Sequence, residues 1–191
     1  MKTFLNLSYL FLLSGLAYAS IPIKEGQFDG ISKIEISAAE DKERLSIAAG
    51  LLSKYEIKAR QLVNSLNDND LDTAVVNLDA NELLTLSKSV IESAIFRLPQ
   101  CDEYLGKTMA LESSLMTISH ESLEKDYHHD GALPIAPAEC YHMKDLFVHP
   151  ATVMILVRDD NSLNQDTRNI IANEINEVLS HTEVVRQLVI Y

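Results

Sequence analysis

All six histidines of this 191-residue chain, His120, His128, His129, His142, His149 and His181, lie in its C-terminal half. Five of them fall within thirty residues, where Cys140 and Met143 join them. Imidazole, thioether and thiolate are soft to borderline donors, the set that holds copper, zinc or haem iron. His120, His128, His129, His142, Met143 and His149 are therefore the candidate ligands for a transition metal or a non-covalently held haem. His142 and His149 stand seven apart, which puts both on one face of a helix that continues into Pro150. Glu124 stands four residues from both His120 and His128.

The same residues have structural explanations. His128 and His129 fall at the end of an expected helix, where the dipole favours an imidazolium. His149 precedes a proline, and its ring can bond a carbonyl that the proline frees. His120 with Glu124 makes an ordinary surface pair, worth a few tenths of a kcal/mol.

The familiar catalytic signatures are missing. There is no Cys-x-x-Cys-His for covalent haem. Glu139-Cys140-Tyr141-His142 supplies one Glu-x-x-His, and a di-iron bundle needs two. No His-Glu-x-x-His, Gly-x-Ser-x-Gly, phosphate loop or dinucleotide fingerprint occurs. Ser119-His120 and Ser180-His181 are adjacent pairs whose side chains diverge on a helix, so neither joins a nucleophile to its base. Asp68, Asp70 and Asp72 alternate as in a calcium loop, but Thr73 stands at the glycine position and Asp79 at the glutamate position. Glu174, Glu177 and His181 share a face of the last helix, which reads as solvated. The balance favours a non-enzyme.

Residues 1–19 form an address. Lys2 precedes an apolar stretch from Phe4 to Leu16 that ends in Ala17-Tyr18-Ala19, a signal-peptidase pattern. The stretch is shorter than the roughly 20 residues of a membrane span, and no transmembrane anchor is expected elsewhere. Cleavage near Ala19 would leave residues 20–191 as a single helical domain, periplasmic or secreted. A net charge of −12 argues against nucleic acid as a partner. With 47% hydrophobic and 23% charged residues, the chain can bury a core.

An exported protein with two cysteines, Cys101 and Cys140, most simply pairs them. The competing role for Cys140 is as a metal or haem ligand beside His142.

The elements that must position these residues are helical. An extended N-terminal arm covers residues 20–36, and Ser37-Ala38-Ala39-Glu40 is a capping box. Ala48, Leu52, Tyr55, Ala59, Leu62 and Leu66 recur at four- and three-residue steps and predict a helix over about 38–66. A second helix is expected from Asp79 to Leu98, and a third from Cys101 to Tyr127. A fourth should start at Pro137 and be kinked or divided at His149-Pro150. Residues 152–158 suit a buried helix, with a short strand as the alternative. A last helix should start at Ser162, with Ile171, Ile175, Val178, Val185 and Val189 inward. The sum is an all-α bundle of four to five amphipathic helices.

The disulfide constrains this layout. An unbroken helix over 101–127 is about 40 Å long, whereas bonded cysteines hold their Cα atoms within about 7 Å. The third helix must therefore end early, near His120, or residues 133–137 must run back along it as an extended strap. The favoured function is an exported, non-catalytic module that binds a protein partner or serves the envelope. A metal- or haem-binding bundle built on residues 120–149 is the alternative.

Overall fold

A computed structural model of the chain describes residues 39–191. The expected leader, the N-terminal arm and the capping Ser37 lie outside these residues. Within them the fold is all-α: α1 (Ala39–Ser65), α2 (Thr73–Arg97), α3 (Asp102–Ala110), α4 (His120–Leu123), α5 (Tyr141–Asp159) and α6 (Gln165–Val189).

The four long helices form the bundle, α1 against α2, α2 against α5, α5 against α6 and α6 back against α1. Cross-links fix their directions. Lys58 on α1 bonds Asp79 on α2, and Arg44 lies over the Phe96 ring, so earlier residues of α1 meet later residues of α2. Arg186 pairs with Glu56, and Arg168 Nη1 donates to the Leu66 and Asp68 carbonyls, so α6 runs antiparallel to α1. The Cys101–Cys140 disulfide, with Cα atoms 5.5 Å apart, holds the end of α2 beside the start of α5. The result is an up-down-up-down bundle. Its core contains the apolar stripe expected on α1 and all five inward residues expected on α6.

Three boundaries before α6 differ from the sequence expectation. α2 starts at Thr73 and not Asp79, because Asp72 Oδ1 accepts from Ala74 N at 2.8 Å and caps the helix six residues early. The third helix is broken. α3 tightens into a 3₁₀ turn over Leu111–Ser114, and the chain leaves helix before Ser119 caps α4. Ser113, Ser114 and Thr117 hydroxyls bond the carbonyls of Ala110, Leu111 and Ser114, in competition with the helical amides. This early end lets the chain return to place Cys140 beside Cys101. Finally, Pro137 precedes a 3₁₀ turn at Ala138–Cys140, and α5 proper begins at Tyr141.

α5 is a continuous helix through residues 152–157, which excludes the strand alternative, and Pro150 sits inside it without dividing it. A proline has no N–H for the carbonyl four residues back, here Leu146. Tyr55 of α1 fills the gap: its buried hydroxyl donates to Leu146 O at 2.9 Å. Burial, with Asp145 adding to it, pushes the Tyr55 phenol well above its ordinary range, so it stays a donor. Tyr55→Phe leaves that carbonyl unpaired and is expected to cost about 1–3 kcal/mol in urea unfolding.

The α5–α6 turn is built on Asp160, which accepts from Ser162 N and Oγ, Asn164 N and Nδ2, and Thr167 Oγ1. Asn164 then caps α6, whose first residue, Gln165, comes three after the expected start at Ser162. The hydroxyls of Ser162 and Thr167, aided by these amides, hold the Asp160 carboxyl far below the ordinary carboxylate range. A depressed folded value gives stability that is complete above the unfolded value of about 3.9 and is lost as pH falls through the folded one. Asp160→Asn should therefore remove an acid-sensitive contribution: the variant's unfolding midpoint lies below wild type's at neutral pH, and wild type's falls toward it as pH drops below about 3.9.

Candidate metal centre

The α5 sequence His142-x-x-Asp145-x-x-x-His149 sets three donors at steps of three and four, which a helix stacks on one face. The facing α6 carries Glu174 and His181, seven apart. Because α5 and α6 are antiparallel, Glu174 meets His149 and His181 meets Asp145. His149 Nδ1 lies 2.8 Å from Glu174 Oε2, and His181 Nδ1 lies 2.9 Å from Asp145 Oδ2.

The third wall is the segment after α4. Glu124–His128 form a π turn, with His129 N bonded to Glu124 O. Such turns are frequent at functional sites. His128 Nδ1 lies 2.8 Å from Glu124 Oε2, and the His128 ring meets that of His149 edge-on, with centroids 4.9 Å apart. Lys144, buried on α5, ties the turn down by donating to His128 O at 2.6 Å and Asp130 Oδ1 at 3.1 Å. Tyr104 donates to the same Asp130 oxygen at 2.6 Å. Asp130 itself has φ 61°, a left-handed conformation that a short polar side chain tolerates. Next to it a glycine is required, because a Cβ on Gly131 would stand 2.5 Å from the Lys125 carbonyl oxygen.

Two donor groups of the same composition result. His128, Asp145 and His149 form one, and His142, Asp145 and His181 the other, each with its ligand atoms within 4.8 Å of one another. A third group, Glu124, His128 and His129, lies toward the surface. His149 is fully buried, and its Nε2 has no hydrogen-bond partner. His142 Nδ1 and Asp145 Oδ1 are likewise buried without one, and His181 Nδ1 lies 2.9 Å from Asp145 Oδ2. Buried polar atoms are ordinarily paired, so unpartnered atoms on His142, Asp145 and His149, all on α5, are an unusual concentration.

The electrostatics agree with a site that holds a carboxylate ionised. Burial pushes the Asp145 carboxyl up, but His181, Lys144 and His149 outweigh it and bring it below the ordinary range. Asp145 raises the His181 imidazole above its ordinary value against the effect of burial. Burial, followed by the neighbouring His181, lowers that of His142, which favours its neutral form.

Of the six ligands expected from sequence, His128, His142 and His149 converge. His120 stays outside, 3.6 Å from Glu124 Oε1, and His129 is exposed and stacked on His128 with centroids 5.1 Å apart. Met143, one step round α5 from His142, is fully buried in the core. Cys140 is in the disulfide and is not a ligand. Sequence reasoning missed Asp145, His181 and Glu174. The face holding Glu174 and His181 is turned against α5 rather than solvated, their side chains being only 15% and 20% exposed. His149 spends Nδ1 on Glu174, and Tyr55 takes the carbonyl freed by Pro150, so the structural explanation for His149 does not hold.

Comparison of the chain with protein-family models, with curated proteins and with solved structures returned no match.

Proposed function

We propose that this protein is an exported four-helix bundle that binds a divalent transition-metal ion through His128, Asp145 and His149. The observation that carries this is the His149 ring, fully buried with Nε2 unpartnered, in a group whose ligand atoms, with those of a second imidazole and a carboxylate, lie within 4.8 Å of one another. Glu174 behind His149 and Glu124 behind His128 fix each Nδ1, which leaves Nε2 as the ligand atom in both rings. Carboxylates behind ligating histidines are the usual outer shell of zinc sites, where they orient the ring and raise its basicity. Two imidazoles and a carboxylate suit zinc or ferrous iron, with at least one position left for water or a small ligand. Haem fits less well. A porphyrin leaves iron only two opposed axial positions, whereas three donors here lie within 4.8 Å of one another.

The leader ending at Ala19 and the disulfide support export to the periplasm or beyond. Among the described residues no helix is long and apolar enough to cross a membrane.

The test is elemental analysis of protein recovered from the exported fraction, followed by thermal unfolding with and without added zinc. A mature mass starting at Ser20 with stoichiometric metal is expected, and zinc at 100 times its Kd should add about 2.7 kcal/mol. Protein that carries no metal, and whose unfolding zinc leaves unchanged, overturns the proposal. It would return the chain to the role of a module for a protein partner.

A further inference from the structure

The second donor group shares a residue with the first. Asp145 belongs to both, with His128 and His149 on one side and His142 and His181 on the other. We infer that the bundle holds two divalent ions, with the Asp145 carboxylate bridging them. The inference rests on the metal-binding reading of the first group and extends it to a dinuclear centre.

The geometry of the carboxylate supports a bridge. Asp145 Oδ2 lies 2.9 Å from His181 Nδ1, on the side of the second group. Oδ1 accepts no hydrogen bond, although it is buried. Lys144 Nζ is 3.3 Å away, but its hydrogen bonds go to His128 O and Asp130. One oxygen is thus available to each ion. His142 and His181 face each other edge-on with centroids 4.9 Å apart, as His128 and His149 do, and His149 and His181 are 6.0 Å apart. Two imidazole pairs of matching geometry on either side of one carboxylate fit ions about 3.5–4 Å apart, the spacing of dinuclear hydrolytic sites. The short His181–Asp145 approach, 2.9 Å, suits two ligands of one ion, whose donor atoms stand roughly 3–3.5 Å apart. The two positions differ in depth. His149 is fully buried, whereas His142 and His181 are half-buried, so the second ion sits nearer solvent.

Zinc titration of the full disulfide-bonded chain, read by elemental analysis after desalting, tests this. Two zinc ions per wild-type chain are expected, and one in His142→Gln, whose side chain is only half-buried and whose loss leaves the first group intact. Cobalt(II) substitution gives a reading that no variant is needed for: a bridged pair couples its spins, so the paramagnetic resonance signal of the first equivalent falls as the second is added. One zinc per wild-type chain, a growing uncoupled cobalt signal, or two zinc ions retained in His142→Gln each overturn the second site while the first stands. No zinc in wild type overturns both.

Discussion

Replacing His149 with glutamine is expected to lower zinc affinity at least about 100-fold, beyond the 10–100-fold seen when only an outer-shell partner is lost. The reasoning starts from its surroundings. The ring is fully buried, Glu174 occupies Nδ1, Nε2 has no hydrogen-bond partner, and the residue groups with His128 and Asp145 within 4.8 Å. An imidazole kept for packing would use both nitrogens or be replaced by an apolar group, because an orphaned buried polar atom costs about 1–3 kcal/mol. Glutamine keeps a donor for Glu174 and approximates the volume, so the fold should survive. Glu174→Gln separates the roles further. It leaves every ligand in place but withdraws the charge behind His149, and should weaken zinc by about 10–100-fold. Isothermal titration of both variants, with helicity checked by circular dichroism, decides the matter. Unchanged affinity in His149→Gln would remove this residue from the site.

Reducing the Cys101–Cys140 disulfide is expected to destabilise the metal-free protein by about 4 kcal/mol, from the loop entropy released on opening a separation of 39 residues. For a chain of this size that corresponds to a fall in Tm of roughly 10 °C. The loop it closes holds α3, α4 and the π turn that carries His128. These short pieces depend on the covalent tie because hydroxyl back-bonding has broken the helix they would otherwise form. Thermal unfolding of the oxidised protein beside the Cys101→Ser, Cys140→Ser double variant measures the effect. A shift under 2 °C would show that packing alone holds the segment.

Much of the bundle was legible because its signal is local. The α1 stripe and the inward face of α6 follow from apolar spacing, which burial in a bundle enforces, whereas residues 152–157 are apolar almost throughout and their spacing suits helix and strand alike. The break after Ala110 was harder to see. Apolar spacing continues through Leu111, Leu115 and Leu123, all buried, while the interruption comes from serine and threonine side chains.

The site was legible in part for a similar reason. Clustering singled out His128, His142 and His149, and helical spacing already put His142 and His149 on one face. Asp145 lies on that same face at a readable spacing. His181 and Glu174 could not be assigned from α6 alone. Only the antiparallel pairing of α5 and α6 turns a polar face that looks solvated into the second wall of the site. Met143 shows the converse: a donor inside the cluster by sequence, it is one step round the helix and therefore in the core.

The central claim, that His128, Asp145 and His149 form a metal site, is tested most directly by X-ray absorption at the zinc edge on protein loaded with one equivalent. The account predicts a first shell of nitrogen and oxygen at about 2.0–2.1 Å, with the outer-shell scattering of two imidazoles, and the loss of one imidazole in His149→Gln. A shell of oxygen alone, or one that His149→Gln leaves unchanged, would contradict it.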